Sequence, residues 1–191
     1  MYKNSKPNNT INIISGKFKS RKIKILSYPT LRPTKNIIRE TIFNWLSLKI
    51  NKSRCLDCFA GSGSLGIEAI SRNALTVTFI EKNRFIVKLL KNNLNNLNIK
   101  NCTVLHTDIL KWLHGQGNPF DIIFIDPPFQ KKLLEKIIIL LENNHWVKNN
   151  TWIYIEQSKT EKLIMPKHWM LHKKKSSGNV CYQIYICNIE Q

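Results

Sequence analysis

Residues Ile122-Ile123-Phe124-Ile125 form a short, wholly apolar run that stops at Asp126-Pro127-Pro128-Phe129. A run of this kind, with no polar alternation, predicts a strand buried on both faces, as in a parallel sheet with helices on either side. An acid, two prolines and an aromatic then make a stiff turn at the strand's C-terminal end, where open α/β sheets hold their ligands. Such a turn suits a flat base with an exocyclic amine. The Asp126 carboxylate and a carbonyl of the turn can accept its two N–H bonds, and the Phe129 ring can stack on the base. An ordinary strand end followed by a proline turn would also account for these residues. Their meaning rests on what precedes them.

Upstream, Arg54-Cys55-Leu56-Asp57-Cys58-Phe59 reads as a strand running into Ala60-Gly61-Ser62-Gly63-Ser64-Leu65-Gly66 and a helix. The glycines satisfy G-x-G-x-x-G, the pattern of a tight turn that brings backbone close to a ligand at a helix N-terminus. By itself this fits a nicotinamide dinucleotide equally well. Asp57 argues for a cationic ligand, since a carboxylate before the loop would repel a pyrophosphate. The next strand, Thr76–Ile80, ends at Glu81, placed to take the two hydroxyls of a ribose. After Thr103-Val104-Leu105-His106, Asp108 opens a short helical stretch from Ile109 to Leu113. Glu81 and Asp108 also sit where helix caps and first-turn acids are favoured, and either could be only that. The succession is more specific than its members: an acid before the glycine loop, acids after the second and third strands, and Asp-Pro-Pro-Phe after the fourth. A sulfonium nucleoside needs these groups along one sheet edge.

With these motifs the chain resembles the S-adenosylmethionine-dependent methyltransferases, and within them the bacterial family that methylates a guanine N2 in 16S ribosomal RNA. Three stretches carry the resemblance: Leu31-Arg32-Pro33-Thr34 with Arg39-Glu40-Thr41-Ile42-Phe43-Asn44-Trp45-Leu46; Leu56 through Gly63 with Gly66-Ile67-Glu68-Ala69; and Asp126-Pro127-Pro128-Phe129. It extends from about Ile11 to Cys187. The glycine loop is shared by many methyltransferases, whereas the Arg-Pro-Thr to Arg-Glu-Thr block is narrower and selects this family. Cys58, Asn73 and Ser15 depart from the Leu, Gly and Gly expected there, and Asn is tolerable after a helix because it accepts the left-handed cap conformation.

The resemblance implies a class I, Rossmann-like fold: a doubly wound, seven-stranded, mostly parallel sheet whose last strand is inserted antiparallel. It implies S-adenosylmethionine as cofactor, held by Asp57, Phe59, Gly61, Gly63, Glu81, Asp108 and Ile109. In that reading Asp57 meets the ammonium of the donor's amino-acid end, Glu81 its ribose and Asp108 its adenine amine. Asp126, Pro127 and Phe129 carry catalysis, and whether Asp126 also takes the amine's proton stays open. The implied target is guanine 966, in 16S rRNA or in the assembled small ribosomal subunit. Arg21, Arg32 and Arg39 are candidates for phosphate contacts and Thr34 for the target pocket, with solvated or locally paired arginines as the alternative.

The formal net charge of +18 supports a polyanionic partner. Its distribution is more telling. No carboxylate precedes Glu40, while Lys3, Lys6, Lys17, Lys19, Arg21, Lys22, Lys24, Arg32, Lys35 and Arg39 all do. Lys173-Lys174-Lys175 adds a second basic run. Codon bias toward Lys, Asn and Ile explains scattered lysines but not the missing acids. No signal segment opens the chain, and no apolar stretch approaches the ~18 residues of a membrane span. A cytoplasmic monomer is expected. Five cysteines fit reduced thiols better than a disulfide frame. Cys55 and Cys58, three apart on a strand, face opposite sides and cannot share a metal. No metal site is evident.

The 191 residues suit one main domain with an appendage: a basic N-terminal arm and hairpin at 1–34, and a methyltransferase domain at 35–191. Ile11–Ile14 and Arg21–Leu26 flank a Ser15-Gly16 turn signal and predict a small β hairpin. Tyr28–Thr34 is a proline-punctuated loop. Apolar spacing predicts helices over Asn36–Ser47, Ser64–Arg72, Asn83–Leu97 and Gln130–Asn143. Strand five is Trp152–Ile155, with Glu156 at its end, and closing strands lie near Trp169–Lys173 and Val180–Ile186.

Three other functions compete. A DNA base amino-methyltransferase would use the same turn, but the length leaves no room for a separate target-recognition domain. A dinucleotide oxidoreductase leaves Asp126-Pro127-Pro128-Phe129 and the charge unexplained. A non-catalytic RNA-binding assembly factor is disfavoured by the intact Asp126, Gly61 and Gly63.

Overall fold

A computed structural model describes residues 9–25, 36–128 and 133–189. The expected loop Tyr28–Thr34, with Arg32 and Thr34, and the aromatic Phe129 lie outside the described residues.

The β–α alternation read from the apolar spacing builds the architecture expected of it. An N-terminal hairpin pairs β1 (Asn9–Asn12) with β2 (Lys22–Ile25). Then come α1 (Asn36–Trp45), β3 (Arg54–Asp57), α2 (Ser64–Ser71), β4 (Thr76–Glu81), α3 (Arg84–Asn96) and β5 (Cys102–His106). They are followed by α4 (Ile109–Leu113), β6 (Ile122–Ile125), α5 (Leu133–Asn143), β7 (Trp152–Ser158), β8 (Trp169–Ser177) and β9 (Val180–Cys187). The seven-stranded sheet has the order β5-β4-β3-β6-β7-β9-β8. Its first five strands are parallel, and β9 inserts antiparallel between β7 and β8.

Both faces of the sheet are covered. On one, Ile42 and Phe43 of α1, Ile67 of α2 and Leu90 of α3 pack against Phe79, Phe124 and Tyr154. On the other, Ile109 and Leu113 of α4 and Ile137 and Leu141 of α5 pack against Ile123, Ile125, Ile153 and Ile155. Burial from both sides is why β6 carries no polar residue. Cys55 and Cys58 fall in opposite layers, as the strand period requires. Ile86, Leu90, Leu94 and Leu97 are all buried, forming the expected inward stripe of α3.

Several boundaries differ from expectation; β8 runs on from Lys173 to Ser177 because β9 pairs with it that far, and three others have reasons of their own. The first hairpin strand ends at Asn12 because the Ile14 and Ser15 amides donate instead to the Glu68 carboxylate, at 2.8 and 3.0 Å. This buried acid also accepts from Arg72 Nε at 2.8 Å, tying the hairpin to α2. Strand β7 runs on to Ser158 because β9 pairs with it as far as Ser158–Val180, beyond the last parallel rung at Ile125–Ile155. Glu156 therefore lies inside a strand. Finally, α1 stops at Trp45 because the i−4 ladder lapses there, the Ser47 amide donating instead to the Asn44 carbonyl three residues back at 3.4 Å.

Candidate active site

The strand order brings together acids that lie far apart in the chain. Asp57 ends β3 opposite Phe79 of β4 and Phe124 of β6, and Phe124 stands opposite Tyr154 of β7. Glu81, Asp126 and Glu156 each follow one of these residues by two positions, so the strand period sends all three to the face that carries Asp57. Four carboxyl groups from four neighbouring strands thus line one edge. Asp57 feels the negative charges of both Asp126 and Glu81, and Glu156 feels that of Asp126.

Glycine geometry shapes the floor of this edge. Gly61 and Gly63 have φ of +53° and +88°, and Gly63 is the N-cap of α2 in the left-handed region that glycine tolerates. A Cβ on Gly66 would lie 2.1 Å from the Phe79 ring, so the third glycine is a close-packing residue between α2 and β4. Asn73, where a glycine is expected, takes φ +69° just after the helix.

Asp57 is buried, and its Oδ2 accepts the Gly66 amide at 3.1 Å. Burial pushes its carboxyl up to about 7, repulsion from Asp126 and Glu81 adds to this, and the Gly66 and Phe59 amides hold it down. Glu81 reaches across: its Oε2 accepts the Gly61 amide at 3.1 Å and its Oε1 the Asn83 amide at 2.8 Å. Each Glu81 oxygen keeps a second lone pair for a hydroxyl. Asp108 caps α4, its Oδ1 accepting from Leu110 at 2.9 Å, and Ile109 beside it is buried. The cap, one of the two readings open for Asp108, is therefore made. A cap oxygen on an exposed side chain is still accessible to a ligand amine.

Asp126 leaves the end of β6 half-buried, and Pro127 is buried behind it. Its neighbour Glu156, which carried no assigned role in the sequence, is the residue sequence reasoning missed. Burial first, then the Asp126 charge and a hydrogen bond given to Asp126, push the Glu156 carboxyl up to about 8. Tyr154 Oη donates to Glu156 Oε1, and burial holds the Tyr154 phenol well above its ordinary range. The available signal was the pattern already seen at Glu81 and Asp126, an acid following an apolar strand.

The basic candidates separate. Arg21 is exposed on the hairpin, where its Nη2 donates to the Asn96 carbonyl at 2.7 Å and closes the C-terminal end of α3. Arg39 corrects the expectation of a phosphate contact. Its side chain is fully buried, because α1 turns that face inward together with Ile38 and Ile42. Its Nη2 donates to the Asn12 carbonyl and to Asn36 Oδ1, both at 2.7 Å, and burial lowers its pKa against the raising effect of Glu68.

Crowded carboxyl groups, with a glycine turn beneath them, fit a cationic ligand that carries hydroxyls. Among the described residues no salt bridge reaches Asp57, Glu81 or Glu156. Also among them, no helix is long and apolar enough to cross a membrane.

The family model described as conserved hypothetical protein 95 matches residues 11–186. The ribosomal RNA small subunit methyltransferase D of Buchnera aphidicola subsp. Acyrthosiphon pisum is 52% identical over 182 residues, 95% of each chain. The protein of the same name from Escherichia coli K12 is 43% identical over 185 residues, 94% of this chain and 93% of the other. The solved structure of the Escherichia coli protein yhhF superposes with a TM-score of 0.88 at 41% identity, covering 95% of this chain and all of that one. This chain belongs to the conserved hypothetical protein 95 family, a class I methyltransferase family that includes the ribosomal RNA small subunit methyltransferase D proteins.

Proposed function

We propose that this protein methylates the exocyclic N2 amine of a guanine in small-subunit ribosomal RNA, guanine 966 by resemblance, with S-adenosylmethionine as donor. One observation carries the reading: β3 and β6 are neighbours, so the glycine loop after Asp57 and the Asp126-Pro127 turn open on the same edge. The acids fit the donor's chemistry. Asp57 pairs with its ammonium, Glu81 uses its free lone pairs on the ribose, and Phe59, Gly61, Gly63, Asp108 and Ile109 complete the binding surface. When bound, the donor supplies a methyl carbon activated by a sulfonium.

A guanine amine is a weak nucleophile because its lone pair is delocalised into the ring. Asp126 and the Pro127 carbonyl accept its N–H bonds and favour pyramidalisation, aiming the lone pair along the line of transfer. Holding that alignment is the main contribution of the chain. The target base leaves its stack to reach the turn, and Phe129 offers a stacking surface worth roughly 1–3 kcal/mol. Residues 1–34 serve as a basic RNA-binding appendage to the domain at 35–191, and Arg32 and Thr34 are assigned to RNA recognition. Lys17, Lys19, Arg21, Lys22 and Lys24 are exposed on the hairpin and supply positive charge toward a phosphate backbone. A ribosomal substrate puts the reaction in the cytoplasm.

The test uses radiolabelled donor with naked 16S rRNA, assembled small subunits or duplex DNA, followed by nucleoside identification. N2-methylguanosine is the expected product, and N6-methyladenosine in DNA would overturn the reading. Asp126→Ala should keep donor binding and lose about 100-fold or more in turnover, the scale of a lost alignment.

A further inference from the structure

The sheet edge holds one acid that the donor and the turn leave unused. Glu156 is buried on β7, one strand away from Asp126, and faces Tyr182 of β9 in the strand register. Its carboxyl is bonded on both sides: Tyr154 Oη donates to Oε1, and a hydrogen bond joins it to the Asp126 carboxyl. Two carboxyl groups in hydrogen-bond contact cannot both be ionised without strong repulsion, so one proton must lie between them. Glu156 is the more deeply buried of the two acids, so burial places the proton on Glu156, against the Tyr154 bond, which favours its ionised form.

We propose that Glu156 is a positioning residue that keeps this proton and donates it in a hydrogen bond to Asp126, fixing the orientation of the Asp126 carboxylate toward the target amine. The inference rests on the proposed methyl transfer and names how its acceptor is held. The bond to Glu156 holds the Asp126 carboxyl in one orientation relative to the amine N–H. If Glu156 ionised, the two carboxylates would push apart and Asp126 would lose that direction. Burial and Asp126 favour the protonated form of Glu156 and outweigh the Tyr154 bond, which opposes it. Asp126 and, one strand further, Asp57 are acids, while Tyr154 and Tyr182 are phenols, with Tyr182 bonded to the uncharged Thr41 of α1. Both burial and the Asp126 charge raise the Glu156 carboxyl to about 8. Below that pH the dyad carries its single proton.

The experiment compares wild type, Glu156→Gln and Glu156→Ala in methyl transfer across pH, alongside a 13C titration of the glutamate side chains of the free protein. Gln presents an amide donor to Asp126 and a carbonyl to Tyr154, so it should keep most of the turnover. It has no proton to lose, so the fall in kcat that wild type shows as pH passes through about 8 should vanish. Ala should lower kcat about 10- to 100-fold with little change in KM for the donor. The free protein should show one glutamate titrating near 8, absent in Glu156→Gln. An unchanged alkaline fall in Glu156→Gln, a fully active Glu156→Ala, or a Glu156 midpoint below about 6 would each overturn the inference. If wild type methylates no RNA, the functional reading falls separately, and the titration of the free protein alone decides whether Glu156 holds the proton.

Discussion

The Asp57 carboxylate accepts the Gly66 amide at 3.1 Å, so the acid before the glycine loop also fastens the loop's far end. One side chain thereby serves two links: it fixes the start of α2 and presents its carboxyl to the site. A loop held this way presents a ligand surface that is already ordered, which reduces the entropy lost on binding. Glu81 does the same from the other side through the Gly61 amide.

Asp57 makes stability depend on pH. Its native carboxyl titrates near 7, above the ordinary unfolded value, so the folded state binds more protons than the unfolded state between about 4 and 7. Its contribution is complete below that window and is lost as pH rises through about 7. In Asp57→Asn the fall in unfolding free energy across this range should be shallower, as read by urea denaturation at several pH values. A slope equal to that of wild type would show that Asp57 is not the group responsible.

The same titration should govern donor affinity. An ammonium pairs with the ionised form of Asp57, so S-adenosylmethionine should bind more tightly as pH rises through about 7. Calorimetry on wild type and Asp57→Asn measures this directly. Tighter binding at low pH would contradict the assigned pairing.

Gly66 has no room for a side chain. In Gly66→Ala the new Cβ would meet the Phe79 ring at 2.1 Å, and overpacking of this kind costs about 1–3 kcal/mol. A thermal melt should report the loss, and Phe79→Leu in the same chain should recover part of it. Equal melting of Gly66→Ala and wild type would mean the helix and strand do not pack this closely.

Glu68 anchors the hairpin. Replacing it by Ala removes the acceptor for the Ile14 and Ser15 amides and for Arg72, at a cost of about 1–3 kcal/mol for each group left buried. Hydrogen exchange should show Ile14 and Ser15 losing protection while β6 keeps it. Retained protection at both amides would sink the idea of a Glu68 anchor.

Exposed lysines on the hairpin should shape salt dependence. Exchanging Lys17, Lys19, Lys22 and Lys24 for Gln should weaken binding of a 16S rRNA fragment and flatten log K against log salt by about 0.7–0.9 for each phosphate no longer neutralised. An unchanged slope in fluorescence anisotropy would place the RNA elsewhere.

Much of this architecture is determined by local pattern. Apolar periodicity along the chain specifies β6, α3 and the alternation of strands and helices, because burial on one or two faces acts on residues two to four apart. Glycine and proline specify the turns by their own backbone limits, and acids after apolar strands mark the ligand edge. Pairing across the sheet is different, since the residues involved lie tens of positions apart and carry no mutual signature. That β6 lies beside β3, joining Asp57 to Asp126, agrees with the single sheet edge expected from the motifs, whereas only the tertiary structure decided that β7, beside β6, brings Glu156 to Asp126. It also decided that Arg39 turns inward, because a helix face is chosen by what packs against it rather than by the charge of one residue.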